Sequence, residues 1–114
     1  MIMMKRAYEP WSKEDGYRLL VDRMWPRGVS REEAHIDMWL KEIAPSAALR
    51  KWFGHDPEKW DGFREKYRAE LEANAGAAGE LGEIVKRHKK VTLVYAAKDE
   101  AHNNAVVLRD WLSR

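Results

Sequence analysis

The chain has 114 residues, enough for one core and a single domain over 1–114, with 45% apolar and 35% charged residues in the balance of an ordinary soluble chain. No run approaches the roughly 18 apolar residues of a membrane span, and Met1 to Arg6 place apolar residues ahead of charges without a small-residue cleavage site, so neither a membrane partner nor a signal peptide is expected and the cytoplasm is the default. The absence of cysteine excludes disulfides, thiolate metal sites and thiol nucleophiles, while a formal charge of +2 demands no nucleic-acid partner.

Residues 2–8 are short and mixed, and read as an edge strand. Lys13-Glu14-Asp15-Gly16 is turn chemistry, ending in a glycine able to take positive φ. The aliphatic run 17–22 reads as a central strand. Ser30-Arg31-Glu32-Glu33 has the serine-to-glutamate spacing of a capping box. Behind it Ile36, Trp39, Leu40 and Ile43 repeat at helical spacing and predict a helix, which Pro45 ends by restricting Ala44.

Ser46 is placed to cap a short helix carrying Leu49, Trp52 and Phe53 and closed by Gly54. Asp56-Pro57 starts another, continued by Trp60, Phe63, Tyr67 and Leu71. The small residues Gly76-Ala77-Ala78-Gly79 predict a break before a helix bearing Leu81, Ile84, Val85 and His88. A strand over 91–97 follows, then a last helix with Ala105, Val106, Leu108 and Leu112, for which Asp99 is the expected cap. Consecutive strands separated by so much helix pair in parallel through a right-handed crossover. The predicted fold is therefore α/β: a small, helix-rich, three-layer-like domain with a short, mostly parallel sheet of two to three strands and a long helical crossover.

Polar residues at the carboxyl ends of buried strands are where open α/β sheets place ligands. The first such loop is Asp22-Arg23-Met24-Trp25-Pro26-Arg27-Gly28, stiffened by Pro26 and given backbone freedom by Gly28. Arg23 and Arg27 can grip a phosphate or carboxylate, and Asp22 can orient one of them or act as a general base. The plainer alternative is an Asp22–arginine ion pair that pins the loop, with Trp25 as packing.

The second loop is Lys98-Asp99-Glu100-Ala101-His102, followed by Asn103. Its acids already serve the helix terminus, which favours a mixed-charge site where Lys98 and His102 bind and Asp99 orients the imidazole. The plainer alternative is a helix cap beside an exposed lysine. His55 is the other candidate imidazole; His35 and His88 read as helix-surface residues. The basic run 86–90 fits the C-terminal end of a helix as well as a nucleic-acid patch. Of the six tryptophans, Trp39, Trp52 and Trp60 read as core, leaving Trp11 and Trp25 as candidates for ligand contact. No spaced metal signature, cofactor motif or activated nucleophile is present, so no metal or cofactor is expected.

The string Val21-Asp22-Arg23-Met24-Trp25-Pro26-Arg27-Gly28-Val29 resembles the YeaO-like family of bacterial proteins, a branch of a large domain-of-unknown-function superfamily. The resemblance continues through Trp39-Leu40-Lys41-Glu42-Ile43-Ala44-Pro45-Ser46, Leu49-Arg50-Lys51-Trp52-Phe53, His55-Asp56-Pro57 and Tyr95-Ala96-Ala97-Lys98-Asp99, and covers nearly the whole chain. It implies that the two loops share one site, and it brings no substrate. Other branches of the superfamily carry cysteine, histidine and arginine where this chain has Ala101-His102-Asn103, so their thiol or arginine chemistry does not transfer.

The expected function is binding of a small anionic molecule, with or without catalysis. Arg23, Trp25, Arg27, Lys98, Asp99, Asn103 and His55 form the ligand set, and Asp22 or His102 handles a proton. Two other classes stay open: a nucleic-acid or protein-binding module using 86–90, and a metal-assisted hydrolase using His55 and His102 with Asp22 or Asp99. Oligomeric state is not legible.

Overall fold

The computed structural model describes residues 1–114. Four strands form one fully parallel sheet: β1 (Ile2–Arg6), β2 (Tyr17–Leu20), β3 (Met38–Trp39) and β4 (Val91–Tyr95), in the order β1-β4-β2-β3. β4 is central, with Val91 opposite Ile2 on one side and Tyr17 on the other. The helices are α1 (Arg31–Ala34), α2 (Ala47–Phe53), α3 (Trp60–Ala73), α4 (Ala75–Arg87) and α5 (Asn104–Leu112). No helix is long and apolar enough to cross a membrane.

Side-chain alternation along the strands makes two apolar faces. On one, Leu19, Val91, Leu93 and Tyr95 meet Phe53, Phe63, Tyr67, Leu81, Leu108 and the rest of the helical layer. On the other, Ala7, Leu20 and Val94 are covered by Trp25, Ile36 and Trp39 from the connections. Right-handed crossovers account for this division. Passing from β1 to β2 and on to β3 keeps both connections over one face, and the return from β3 to β4 uses the other. The long return carries α2, α3 and α4.

The fourth strand is a departure from the sequence reading, which placed Trp39 on a helix. α1 stops after four residues because His35 turns left-handed at φ 47°. The chain then serves the open edge of β2: the Arg18 N–H donates to the Asp37 carboxylate at 2.8 Å, and the Asp37 N–H returns a bond to the Arg18 carbonyl at 2.9 Å. Satisfying an exposed strand edge outweighed helical periodicity. The expected break at 76–79 also moves, since those residues lie in the first turns of α4. The break is at Asn74, whose side chain accepts from the Ala77 N–H and donates to the Glu42 carbonyl at 3.0 Å.

The other start signals fold as read. Ser30 and Glu33 form their reciprocal capping box. Ser46 caps α2 while holding Glu70 of α3 through its N–H at 2.8 Å and its hydroxyl at 2.5 Å. Gly54 closes α2 in the left-handed region, and Asp56 accepts from the Glu58 N–H to start a 3-10 turn that leads into α3. Tyr67 is fully buried and donates its hydroxyl to the Ile43 carbonyl, fixing α3 against the turn before α2.

Candidate functional site

The site begins with strand ends. In a sheet ordered β1-β4-β2-β3, the connections leaving β4 and β2 go to opposite faces, which opens a crevice beyond their carboxyl ends. Three side chains bind that rim together. Asp22, half-buried just past β2, accepts from the Ala96 N–H past β4 at 2.9 Å and from the Asn104 amide at 3.0 Å. Asn104 also donates to the Val21 carbonyl at 3.0 Å. Arg6, the last residue of β1, donates to the carbonyls of Ala97 at 2.9 Å and Ala96 at 3.3 Å.

The crevice is a cavity of about 850 Å³. Nine of the ten residues singled out from the sequence line it: Asp22, Arg23, Trp25 and Arg27 from the first loop; Lys98, Asp99, His102 and Asn103 from the second; and His55 after α2. Arg50 of α2, Asn104 and Tyr8 join them, with an apolar wall of Pro26, Ala44, Pro45, Phe53 and Phe63. Trp11 does not line the cavity; it stacks on His35 with ring centroids 4.4 Å apart.

Arg23, Arg27, Arg50 and Lys98 have no carboxylate within 4.0 Å. The plainer alternative, an ion pair of Asp22 with an arginine, is therefore absent. Asp22 staples the two strand ends instead, and it orients no arginine. Burial raises its pKa above the ordinary 3.8, outweighing the opposing hydrogen bonds from Ala96 and Asn104 and the positive fields of Arg50 and His55. Each carboxylate oxygen is already engaged by one donor, so Asp22 can meet a ligand only through its remaining lone pairs.

Asp99 holds the second loop. One oxygen accepts from the Ala101 and His102 N–H groups at 2.9 and 3.0 Å, and the other faces His102 Nδ1 at 2.8 Å. The His102 hydrogen bond is the main cause that holds the Asp99 carboxyl below its ordinary 3.8. With Nδ1 so engaged, Nε2 is the nitrogen left for a ligand. Asp99 is not the helix cap it was expected to be. That role falls to buried Asn103, which accepts from the Val106 N–H at 3.1 Å and donates to the Asp99 carbonyl at 2.9 Å.

Trp25 is committed to the protein: its indole N–H donates to the Val29 carbonyl at 2.7 Å, and the Arg31 guanidinium lies 4.5 Å over its ring. It shapes the wall and offers a ligand only carbon. Tyr8 donates to the Arg27 carbonyl at 3.1 Å and so ties the β1 exit to the arginine loop. His55 takes φ 58°, a costly geometry for a residue with a side chain, and faces the cavity from the turn behind Phe53. No three histidine or acidic side chains converge as a metal-binding group.

Arg50, Asn104 and Tyr8 escaped sequence reasoning. Arg50 lies on a helix whose orientation to the sheet is not written in its own periodicity, and Tyr8 matters only once β1 is known to lie beside β4. Asn104 adjoined an identified residue, and its neighbourhood was the available signal. The basic run 86–90 lies at the opposite, amino end of the sheet. There Lys90 pairs with Glu14 at 3.5 Å and His88 stacks on Tyr17 at 3.9 Å.

Comparison with known proteins bears on the whole chain. The family described as the "Inactive DUF488-N3 subclade" matches residues 1–114. "Uncharacterized protein YeaO" of Escherichia coli is 45% identical over 111 residues, covering 97% of this chain and 96% of that protein. "Uncharacterized protein Rv3073c" of Mycobacterium tuberculosis is 38% identical over 112 residues, covering 98% and 93% respectively. No solved structure matches the chain.

Proposed function

The chain belongs to the inactive DUF488-N3 subclade, with YeaO-like relatives matching nearly its whole length, and on that premise we propose that it binds a small anionic molecule in the crevice between its β2 and β4 loops. The observation that carries this reading is the charge balance of the cavity wall. Four cationic side chains from three segments face one cavity with no carboxylate near enough to pair with them. The cavity also holds the carboxylates of Asp22 and Asp99, both hydrogen-bonded within the protein, so the wall stays net positive, and a concave positive surface focuses its field and draws in an anion. Arginine adds planar, forked donors suited to phosphate or carboxylate.

Binding is favoured over turnover. The family description names the clade inactive, the chain has no cysteine, and Asp22, the candidate base, is occupied as a staple. His102 then serves as a hydrogen-bonding group on the ligand, oriented by Asp99. We place the protein in the cytoplasm, where phosphorylated and carboxylated metabolites are abundant.

The test is thermal unfolding with phosphate, sulfate and malonate at constant ionic strength, in Arg27→Ala and Lys89→Ala beside the unaltered protein. A ligand at 100 times its Kd adds about 2.7 kcal/mol of stability. The unaltered protein and Lys89→Ala should respond alike and Arg27→Ala should not respond. Equal responses in the two variants would contradict the site.

A further inference from the structure

We propose that the ligand is an amphiphilic anion, one phosphate or carboxylate on an aromatic or branched apolar body, and not a bare inorganic ion. The inference rests on the anion-binding reading and specifies the rest of the molecule. Its ground is the division of the cavity into two chemically different parts.

The cations are at the mouth. Arg23, Arg27, Arg50 and Lys98 are all exposed, on the two strand-end loops and the surface of α2. Behind them the wall has an apolar sector, in which Phe63 is 2% exposed, Phe53 5% and Ala44 9%, with buried Pro26 and Pro45, beside a polar sector of Asp22, Asn103 and Asn104 whose hydrogen bonds go to the protein. Those groups offer an anion nothing. Proline has no N–H, and the Ala96 N–H at the back of the crevice is already given to Asp22.

Size points the same way. A cavity of about 850 Å³ is on the scale that holds a drug-sized molecule, and a single phosphate gripped by the mouth leaves the inner part to water. The small surface that these side chains show the cavity holds water poorly, so an apolar body that covers it gains affinity. Met24 adds an adaptable edge: it is 69% exposed, lines the cavity, and its flexible thioether can close over an apolar surface of variable shape.

The experiment is calorimetric titration of the full chain with four probes: inorganic phosphate, phenyl phosphate, benzoate and benzyl alcohol, with Arg27→Ala as the control. Phenyl phosphate should bind at least about tenfold tighter than phosphate, the gain expected from burying much of one ring. Benzoate should compete with phenyl phosphate, benzyl alcohol should not, and Arg27→Ala should lose most of the phenyl phosphate affinity. Equal affinity for phosphate and phenyl phosphate, both weakened by Arg27→Ala, overturns the amphiphile and leaves the anion site standing. No binding of phosphate, phenyl phosphate or benzoate overturns both readings. Benzyl alcohol binding as tightly as phenyl phosphate overturns the charged headgroup.

Discussion

Two aspartates carry opposite electrostatics, and the contrast makes a measurable prediction. Asp15 is buried and surrounded by donors: the Ser12 N–H at 3.1 Å, Lys5 Nζ at 3.2 Å and an Arg18 guanidinium nitrogen at 2.6 Å. Burial alone pushes its carboxyl up, but Ser12, Lys5 and Arg18 together outweigh that and bring it below 3.8. Asp22 goes the other way because burial wins there. A carboxyl lowered in the folded state stabilises above its unfolded pKa, and that stability is lost as pH falls through the folded value. A raised one stabilises below the unfolded pKa, and its share is lost as pH rises through the folded value. Asp15→Asn should therefore cost about 3 kcal/mol near neutrality, since it strands Lys5 and the buried Arg18. That cost should shrink as pH falls below about 4, because the unfolded chain's carboxylate takes up its proton before the native one does. Urea unfolding at several pH values reads both; a pH-independent offset would contradict the assignment.

At the level of elements, the close approach of β2 and the residue before β4 depends on Gly16. It sits at φ +67°, and a Cβ there would lie 2.5 Å from the Lys90 carbonyl oxygen and 2.6 Å from Lys90 Cβ. The same carbonyl receives the Tyr17 N–H that opens β2. Gly16→Ala should cost at least about 2 kcal/mol, combining left-handed strain with a backbone clash. Gly28, at φ +81° with open space around its Cβ position, should cost about 1 kcal/mol as alanine, from strain alone. Equilibrium unfolding compares them; equal losses would refute the crowding at Gly16.

Local signals of this kind were the most legible part of the sequence. Ser30, Ser46, Gly54 and Asp56 each act on neighbours within three or four residues, and each sits where its chemistry placed it. What failed was periodicity set against distant demands. Ile36, Trp39, Leu40 and Ile43 have helical spacing, yet they are distributed over a loop, β3 and a 3-10 turn because β2 needed an edge partner that no local window contains. Asp99 looked like a cap because it follows a strand, but the helix it was assigned starts five residues later, behind Asn103.

For the whole molecule, the sheet order explains why loops 70 residues apart in sequence meet, as Asp22 and Ala96 do across 74 positions. That meeting was legible because both loops follow buried strands, and α/β topology fixes which end of a strand can hold a ligand. Of the third wall only His55 was legible. Arg50 and the Phe53–Phe63 pair reach the cavity only through the packing of α2 and α3 over the sheet, and the apolar depth of the site comes from them. The central claim is that one anion site lies at this carboxyl end of the sheet. Backbone amide chemical shifts followed during titration with phenyl phosphate test it most directly. The account predicts saturable shifts concentrated in residues 22–28, 50–55 and 96–104, abolished in Arg27→Ala. Shifts centred instead on 86–90 at the opposite end of the sheet, or no saturable shifts at all, would contradict it.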